Sequence, residues 1–413
     1  MHSLVRTEIV VLSAARTPVG RFNGRLADFD AVALGGLAIG AAVSRAALPP
    51  SALDTVNMGI VAGAGLGVAA AKSAALRAGL SPTVHSRTID TVCGSAMDAI
   101  ALAVESLLAG SADIVVAGGM ESRTNASYLL RAKFRRDTAS YRKGDRVKVK
   151  RGGAYRFVLS ENVEEQLQAT ELVDPTSYDG LFCADERKFM RQYALDYAVK
   201  HGYTVAEINR LAAESHRKAR GATAQGLFKD EIVPADGIGE DDYVPEERLQ
   251  RELAENPDDL ASLYNSSTPA DGAAALVLTT GERAQALGLR PLARVMGYAR
   301  VDSAPADFLS APVEAANELT EGLRAAGQPA GFTIIEANEA FGVQLPLFVE
   351  AFAGMEINVH GGAIALGHPL GAAGARITTT LLYAMRRYGH RLGLSAICYG
   401  GGGGYAMAFE LAG

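Results

Sequence analysis

The sequence predicts an α/β fold of two similar halves with a long insertion between them. Two observations carry that prediction. Short β-rich apolar runs alternate with Ala- and Leu-rich amphipathic stretches near both ends of the chain. Each series then closes on an apolar strand running into glycines, Asp113-Ile-Val-Val-Ala-Gly-Gly in the first and Ser395-Ala-Ile-Cys-Tyr-Gly-Gly in the second. The likeness is too slight to be a sequence repeat and hints only at a duplicated fold.

The elements follow in order. Ile9 to Ser13 reads as a strand, Ala31 to Ala46 as a helix, Val56 to Val61 as a strand and Val68 to Ala78 as a helix, a βαβ succession that implies a mainly parallel sheet. The second series begins near Pro291 and continues through Val313 to Ala325, Thr333 to Glu336 and Ala375 to Arg387. Between them, Arg123 to Ser266 is dense in charge and loses the alternation. It reads as an insertion with helices of its own, Glu186 to His201 and Val205 to Arg220, where apolar residues recur at helical spacing and Phe189, Tyr193 and Tyr197 share a packing face. The expected division is 1–122 as the first half, completed by about 267–285, 123–266 as the inserted loop domain, and 286–413 as the second half.

Composition excludes several classes. A chain of 413 residues, 48% hydrophobic and 21% charged, can bury large cores and is neither disordered nor fibrous. Its net charge of -6 argues against a general polyanion binder, so no nucleic-acid partner is expected. Apolar runs are strand-sized or broken by charges, so no membrane span is expected. Cys93, Cys183 and Cys398 cannot all pair, which indicates a reducing compartment. Met1 to Thr7 is too short to be a leader, and a cytoplasmic location is expected.

Four segments could carry chemistry. In Thr88-Ile-Asp-Thr-Val-Cys93-Gly-Ser-Ala-Met, a strand passes through a tight turn into a helix, which places Cys93 at a helix N-terminus. There the macrodipole would lower a thiol pKa from ~8.5 into the ~3.5 to 7.5 range and supply a thiolate; the other reading is a small buried hydrophobe. Gly361-Gly-Ala-Ile-Ala-Leu-Gly-His368-Pro-Leu-Gly sets one histidine in a glycine-rich loop, as an active-site loop would, because glycine lets a ligand approach the main chain and imidazole suits proton transfer near neutral pH. Cys398 ends a strand and is followed by Tyr399 and the glycine run Gly400 to Gly404, whose main chain could donate N–H groups to an oxyanion; no Gly-Lys-Ser/Thr follows, so it is not a phosphate-binding loop. Glu336-Ala-Asn338-Glu339-Ala340-Phe341-Gly342 puts a polar pair at a strand end, where it could equally cap the next helix.

Together these segments resemble thiolases, through Val92-Cys-Gly-Ser, Asn338-Glu-Ala-Phe, Gly361-Gly-Ala-Ile-Ala-Leu-Gly-His-Pro-Leu-Gly and Cys398-Tyr-Gly-Gly-Gly in that order. Further likeness lies in Ser13-Ala-Ala-Arg-Thr-Pro-Val-Gly, Ala117-Gly-Gly-Met-Glu-Ser, Phe228-Lys-Asp-Glu-Ile-Val-Pro and Asp271-Gly-Ala-Ala-Ala. The resemblance implies a five-layered αβαβα fold, a homodimer or homotetramer, no metal, no permanently bound cofactor, and coenzyme A as co-substrate. It further implies that Cys93 attacks the ketone of a 3-ketoacyl-CoA after His368 takes its proton. Cys398 would protonate the departing acetyl-CoA carbanion. His368 and a water held by Asn338 would stabilise the enolate, and the N–H groups of Cys93 and Gly400 the tetrahedral oxyanion. Ser267, Ala340 and Phe341 would line the pantetheine channel.

The sequence departs from the thiolase pattern in places. Where thiolases carry Met-Gly-x-Thr-Ala-Glu-Asn it has Gly180-Leu-Phe-Cys183-Ala-Asp-Glu, so Gly180 replaces a bulky side chain beside the acyl pocket and predicts a substrate larger or more branched than acetoacetyl-CoA. Cys183 then reads as a structural thiol and His360, in place of an asparagine, as a structural hydrogen-bonding group. Gly65-Leu-Gly-Val-Ala-Ala-Ala-Lys departs in a region that commonly faces the partner subunit. The basic stretch Arg131 to Arg151 either attracts the coenzyme A phosphates or is a solvated or oligomer-contacting loop. Two competitors share the fold: a decarboxylating ketosynthase, which normally has a second histidine where Asn338-Glu-Ala-Phe lies, and a non-catalytic lipid-binding protein, which would not need Cys93, His368 and Cys398 together.

Overall fold

The computed structural model describes residues 2–130 and 172–413; for 2–6 and 130 only the main chain is described. The first half comprises β1 (His2–Arg16), β2 (Gly20–Arg21), α1 (Ala31–Arg45), β3 (Thr55–Gly59), α2 (Ala70–Arg77), β4 (His85–Ile89), α3 (Ser95–Leu108) and β5 (Ile114–Ser122). Next come β6 (Leu129–Leu130), β7 (Leu172–Val173), α4 (Pro175–Leu181), β8 (Phe182–Cys183), β9 (Lys188–Phe189), α5 (Met190–His201), α6 (Val205–Ala224) and α7 (Glu246–Glu255). The chain continues through β10 (Ala270–Thr280), α8 (Gly281–Ala286), β11 (Ala293–Asp302), α9 (Ala311–Ala325), β12 (Ile334–Ala337), α10 (Gln344–Ala351) and β13 (Glu356–Ile357). It ends with α11 (Ala363–Leu366), α12 (Ala373–Tyr388), β14 (Leu392–Tyr399) and β15 (Gly403–Leu411).

The duplication hinted at by the two glycine-ended strands is present in the strand order. The first half runs β4-β3-β5-β10-β1 and the second β13-β12-β14-β15-β11, and in each the first two pairings are parallel and the next two antiparallel. The sheets are therefore mixed rather than mainly parallel. The antiparallel members β10 and β15 are Ala- and Gly-rich and lack the β-branched pattern that marks a strand. β1 also pairs with β11, with Ile9 opposite Val295, which joins the halves through main-chain bonds.

Three apolar layers fill the spaces around the sheets. One packs α1 and α2 against the outer face of the first half, through Leu34, Ile39, Ala74 and Val116. Another packs α9 and α10 on the outer face of the second, through Leu319, Phe348 and Leu394. Between the halves lie α3 and α12, whose Ile100, Val104, Ile377 and Leu381 share one core with strands of both halves and complete five layers. Because α12 is enclosed on all sides, it buries Thr378, Thr379, Thr380 and Arg376 as well as its apolar residues, and Arg376 pairs with the equally buried Glu336 at 3.1 Å. Burying such a pair costs solvation that a one-sided helix would not lose.

Glycines let the central layer close. A β-carbon on Gly374 of α12 would stand 2.5 Å from the Met97 nitrogen of α3, and one on Gly119 of β5 only 1.9 Å from the carbonyl oxygen of Gly371. Both approaches exclude any side chain. Among the described residues no helix is long and apolar enough to cross a membrane.

Candidate active site

Three segments that leave strand ends on one side of the two halves build the site. After β4 the chain turns at Asp90 to Gly94: Asp90 Oδ1 accepts the Val92 N–H at 3.0 Å, and Ser95 Oγ accepts the Thr91 N–H at 2.9 Å while donating to the Val92 carbonyl at 2.6 Å. These bonds hold Val92 at φ 51°, a left-handed conformation that a β-branched residue rarely adopts. The strain falls on the residue before Cys93, which is presented just ahead of the helix α3 with 8% of its surface exposed.

The second segment is the histidine loop. Gly367 at φ 97° turns the chain, and the His368 N–H donates to the Thr268 carbonyl at 2.8 Å. Three residues on, the Gly371 N–H donates to the buried Glu121 carboxylate at 2.9 Å, which also accepts from Val61 and Ala62. Glu339 anchors the other side, accepting from Ser215 Oγ at 2.7 Å, Asn358 Nδ2 at 2.8 Å and the Ile364 N–H at 3.2 Å. Of the Asn-Glu pair, then, the glutamate ties the histidine loop to α6. Asn338, directly after β12, faces the imidazole, with Nδ2 3.5 Å from His368 Nε2.

The third segment is the β14–β15 hairpin. Cys398 pairs opposite Gly404 and Tyr399 opposite Gly403. The glycine run has more than one cause. Gly401 and Gly402 adopt φ of 100° and 104°, whereas a β-carbon on Gly403 would meet the Tyr399 ring and one on Gly404 the Ala311 main chain at 2.5 Å. The Gly400 N–H and that of Cys93 act on the Cys93 sulfur and draw its pKa down.

Cys93, His368, Cys398 and Gly400 line one cavity of about 680 Å³, together with Gly180, Ser267, Ala340 and Phe341. Asn338 is the exception among the predicted site residues, since it stands behind His368, fully buried, with Oδ1 unpartnered. Sequence reasoning missed Gln344, which draws the pKa of the Cys398 thiol down and whose Nε2 donates to the Leu309 carbonyl at 3.2 Å. It also missed Arg187, Lys188 and Arg191, which line the cavity; Lys188 pairs with Asp196 at 2.7 Å and Arg191 with Asp259 at 2.6 Å. A charge count along the insertion could have found these three, but nothing local marks Gln344.

Electrostatics corrects one expectation. The helix N-terminus does not make Cys93 acidic: burial pushes its pKa well up and the nearby Cys398 adds to this, outweighing the opposing pull of Arg123 and the two N–H donors. Burial holds His368 down to about 3, with Arg376 and Arg123 contributing, and lifts Cys398 to about 11 against the Gln344 bond. The site rests as two thiols and a neutral imidazole. That imidazole can accept a proton, and either thiol can give one.

Two further expectations change. Gly180 lines the cavity, but a β-carbon there would lie 2.7 Å from Leu370 Cδ1, so Leu370 has filled part of the space that a larger residue would take. Phe189 is 51% exposed, unlike Tyr193 and Tyr197, because it ends β9 rather than lying on the α5 face. Cys183, on the β8–β9 hairpin, is half-buried against the cluster around Met190 and Tyr193. His360 Nε2 lies 3.0 Å from the Tyr388 hydroxyl. The basic stretch Arg131 to Arg151 lies outside the described residues.

The chain matches the family model of the thiolase N-terminal domain over residues 9–282 and that of the thiolase C-terminal domain over residues 289–411. It is 39% identical to an acetyl-CoA acetyltransferase of Escherichia coli (strain K12), across 97% of this chain and 98% of that one. It is 36% identical to an acetyl-CoA acetyltransferase of Cupriavidus necator, across 98% and 99%. A thiolase of Ascaris suum, solved in complex with coenzyme A, superposes with a TM-score of 0.82 at 32% identity, covering 98% of this chain and 100% of the other.

Proposed function

The chain belongs to the thiolase family, and on that premise we propose that it cleaves a 3-ketoacyl-CoA with coenzyme A, or runs the reverse Claisen condensation, through an acyl group carried on Cys93. The observation that carries this reading is the meeting of Cys93, His368, Cys398 and Gly400 around one cavity.

The protonation states support an order of events. His368 is neutral at rest, and in this reading it takes the Cys93 proton only as sulfur attacks the ketone, so that the charge passes to the oxyanion and never rests on sulfur. The N–H groups of Cys93 and Gly400 receive the oxyanion. As the bond between the α- and β-carbons breaks, Cys398 gives its proton to the departing acetyl-CoA carbanion, and His368 with an Asn338-held water steadies the enolate. The thiol of coenzyme A then attacks the Cys93 thioester, giving its proton to the Cys398 thiolate, and His368 returns its proton to the Cys93 sulfur as the shortened acyl-CoA is released.

Coenzyme A is the co-substrate in this reading. Ser267, Ala340 and Phe341 flank its pantetheine arm, and Arg187, Lys188 and Arg191 supply positive charge for its phosphates. A cavity of about 680 Å³, in whose wall the flexible Leu370 side chain takes part of the space left by Gly180, favours an acyl group larger or more branched than acetoacetyl. We place the enzyme in the cytoplasm on its three free cysteines. A homodimer or homotetramer fits β4, an edge strand partnered among the described residues only by β3, with Val68 nearby 91% exposed.

The test is intact-mass measurement after mixing with acetoacetyl-CoA and with longer, branched and ring-bearing 3-ketoacyl-CoAs in the absence of free coenzyme A. A shortened acyl adduct mapping to Cys93 is expected. Carbon-carbon cleavage without one, or product release accompanied by decarboxylation, sinks the reading.

A further inference from the structure

We propose that the acyl end of the cavity is shaped for a short acyl chain ending in a carboxylate, held by Arg123. The proposal rests on the thiolase reading and deepens it by naming the class of substrate.

Arg123 follows β5 and is 4% exposed. Its Nη2 donates to the Thr176 carbonyl at 2.6 Å, while its Nε is buried without a partner. The nearby carboxylates are committed to other donors. Glu121 accepts from Val61, Ala62 and Gly371, Asp271 from the N–H and hydroxyl of Thr124, and Asp174 from Thr176. They attract the guanidinium through space, but among the described residues none bonds it, and burial is the larger influence on its charge. A guanidinium withdrawn from water without a bonded anion is a costly arrangement, and a bound anion relieves it.

The position of the charge says which anion. Arg123 Nη1 lies 3.9 Å from where a β-carbon on Gly180 would stand, after Leu370 Cδ1 at 2.7 Å and Val61 Cγ1 at 3.8 Å; Gly180 and Leu370 line the cavity, and Arg123 stands just behind them. With no side chain on Gly180, the flexible Leu370 side chain occupies the wall beside the cation, and a ligand that moves it aside reaches Arg123. Otherwise that wall is apolar, with Leu181, Met190 and Phe308. Cys93 lines the same cavity as Gly180 and Leu370, and Arg123 acts electrostatically on both Cys93 and His368. The planar fork of an arginine matches a carboxylate in shape as well as in charge.

The experiment compares thiolysis of two six-carbon 3-ketoacyl-CoAs, one ending in a carboxylate and the other in a methyl group, by the native enzyme and by Arg123→Gln. In the native enzyme kcat/KM is expected to favour the carboxylate by about 10-fold or more, and Arg123→Gln to lower that ratio by about 10- to 100-fold. A ratio is unaffected by any uniform loss in the variant, and the native preference stands as a test even if the variant does not fold. Native preference for the methyl-ended substrate, or an unchanged ratio in Arg123→Gln, overturns the proposal while leaving the thiolase reading intact. Cleavage of neither substrate, with no adduct on Cys93, removes both.

Discussion

Asn338 Nδ2 stands 3.5 Å from His368 Nε2, and the opposite ends of the pair, Asn338 Oδ1 and His368 Nδ1, are buried without partners. An imidazole so placed has a neutral amide beside it rather than a carboxylate, and burial depresses its pKa to about 3. Burial therefore disfavours a thiolate-imidazolium pair with Cys93, whose own pKa is pushed up against the pull of Arg123 and the two N–H groups. Alkylation of Cys93 by iodoacetamide, followed by peptide mapping, should accelerate with pH through the neutral range without levelling off below about pH 9. A plateau established by about pH 6 would instead reveal a preformed ion pair.

Cys398 rests as a thiol with its pKa lifted to about 11 by burial, against the opposing pull of Gln344. Its proposed work is confined to the carbon-carbon step. Cys398→Ala should slow thiolysis of a 3-ketoacyl-CoA by about 10²- to 10⁴-fold and slow acyl exchange between an acyl-CoA and labelled coenzyme A far less, because exchange needs only Cys93 and His368. Equal losses in both assays would assign Cys398 to acyl transfer.

Much of this site was legible in the chain because its chemistry sits in short contiguous runs. Cys93, His368 and Cys398 each announce themselves by residue type and by small neighbours that permit close approach. What could not be read depends on contacts across the fold. The Cys93 environment looked thiolate-stabilising from its helix position, yet enclosure between the halves reverses the sign. Gln344 reaches Cys398 only because α10 packs behind the hairpin. Leu370 fills the space beside Gly180 from nearly two hundred residues away in sequence. The strands β10 and β15 were obscure because alanine and glycine carry no periodic signal, although small residues are what a sheet needs where helices pack against both its faces.

Gly119→Ala tests that close packing. The added carbon would stand 1.9 Å from the Gly371 oxygen, and backbone cannot yield as a side chain can. A loss of roughly 1–3 kcal/mol or more is expected. Gly371 is three residues from His368, so acylation of Cys93 should slow as well. Gly67→Ala serves as the comparison, since that site has open space around it and only its φ of 89° opposes a side chain. Thermal unfolding and acylation rates measured together would refute the packing argument if both variants behaved alike.

Gly180→Met addresses the acyl pocket. Leu370 Cδ1 would lie 2.7 Å from the new β-carbon, and both residues line the cavity, so the longer side chain takes up cavity space there. The variant should keep most acetoacetyl-CoA thiolysis and lose about 10-fold or more on long or branched substrates, which need that space. Equal effects on both would show that Gly180 does not set acyl size.

The last expectation concerns stability in acid. Burial lowers the pKa of His360 to about 4, with Arg387 and Arg16 adding to it, and the ordinary value near 6.5 returns on unfolding. Between those values the unfolded chain binds the proton and the native one does not, so His360 contributes stability above about pH 6.5 that is lost as pH falls toward 4. Glu336 works in the opposite sense: burial raises its folded pKa to about 8, so its contribution is present at low pH and lost as pH rises through that value. The native curve sums such opposing slopes, and only a difference isolates one group. His360→Gln keeps a hydrogen-bonding side chain near Tyr388 and cannot titrate. Urea midpoints taken from pH 7 to pH 5 should fall less steeply for this variant than for the native protein, by about 1 kcal/mol per pH unit. Parallel curves would mean that His360 takes up its proton at the ordinary pKa and that Tyr388 and Phe228 do not enclose it in solution.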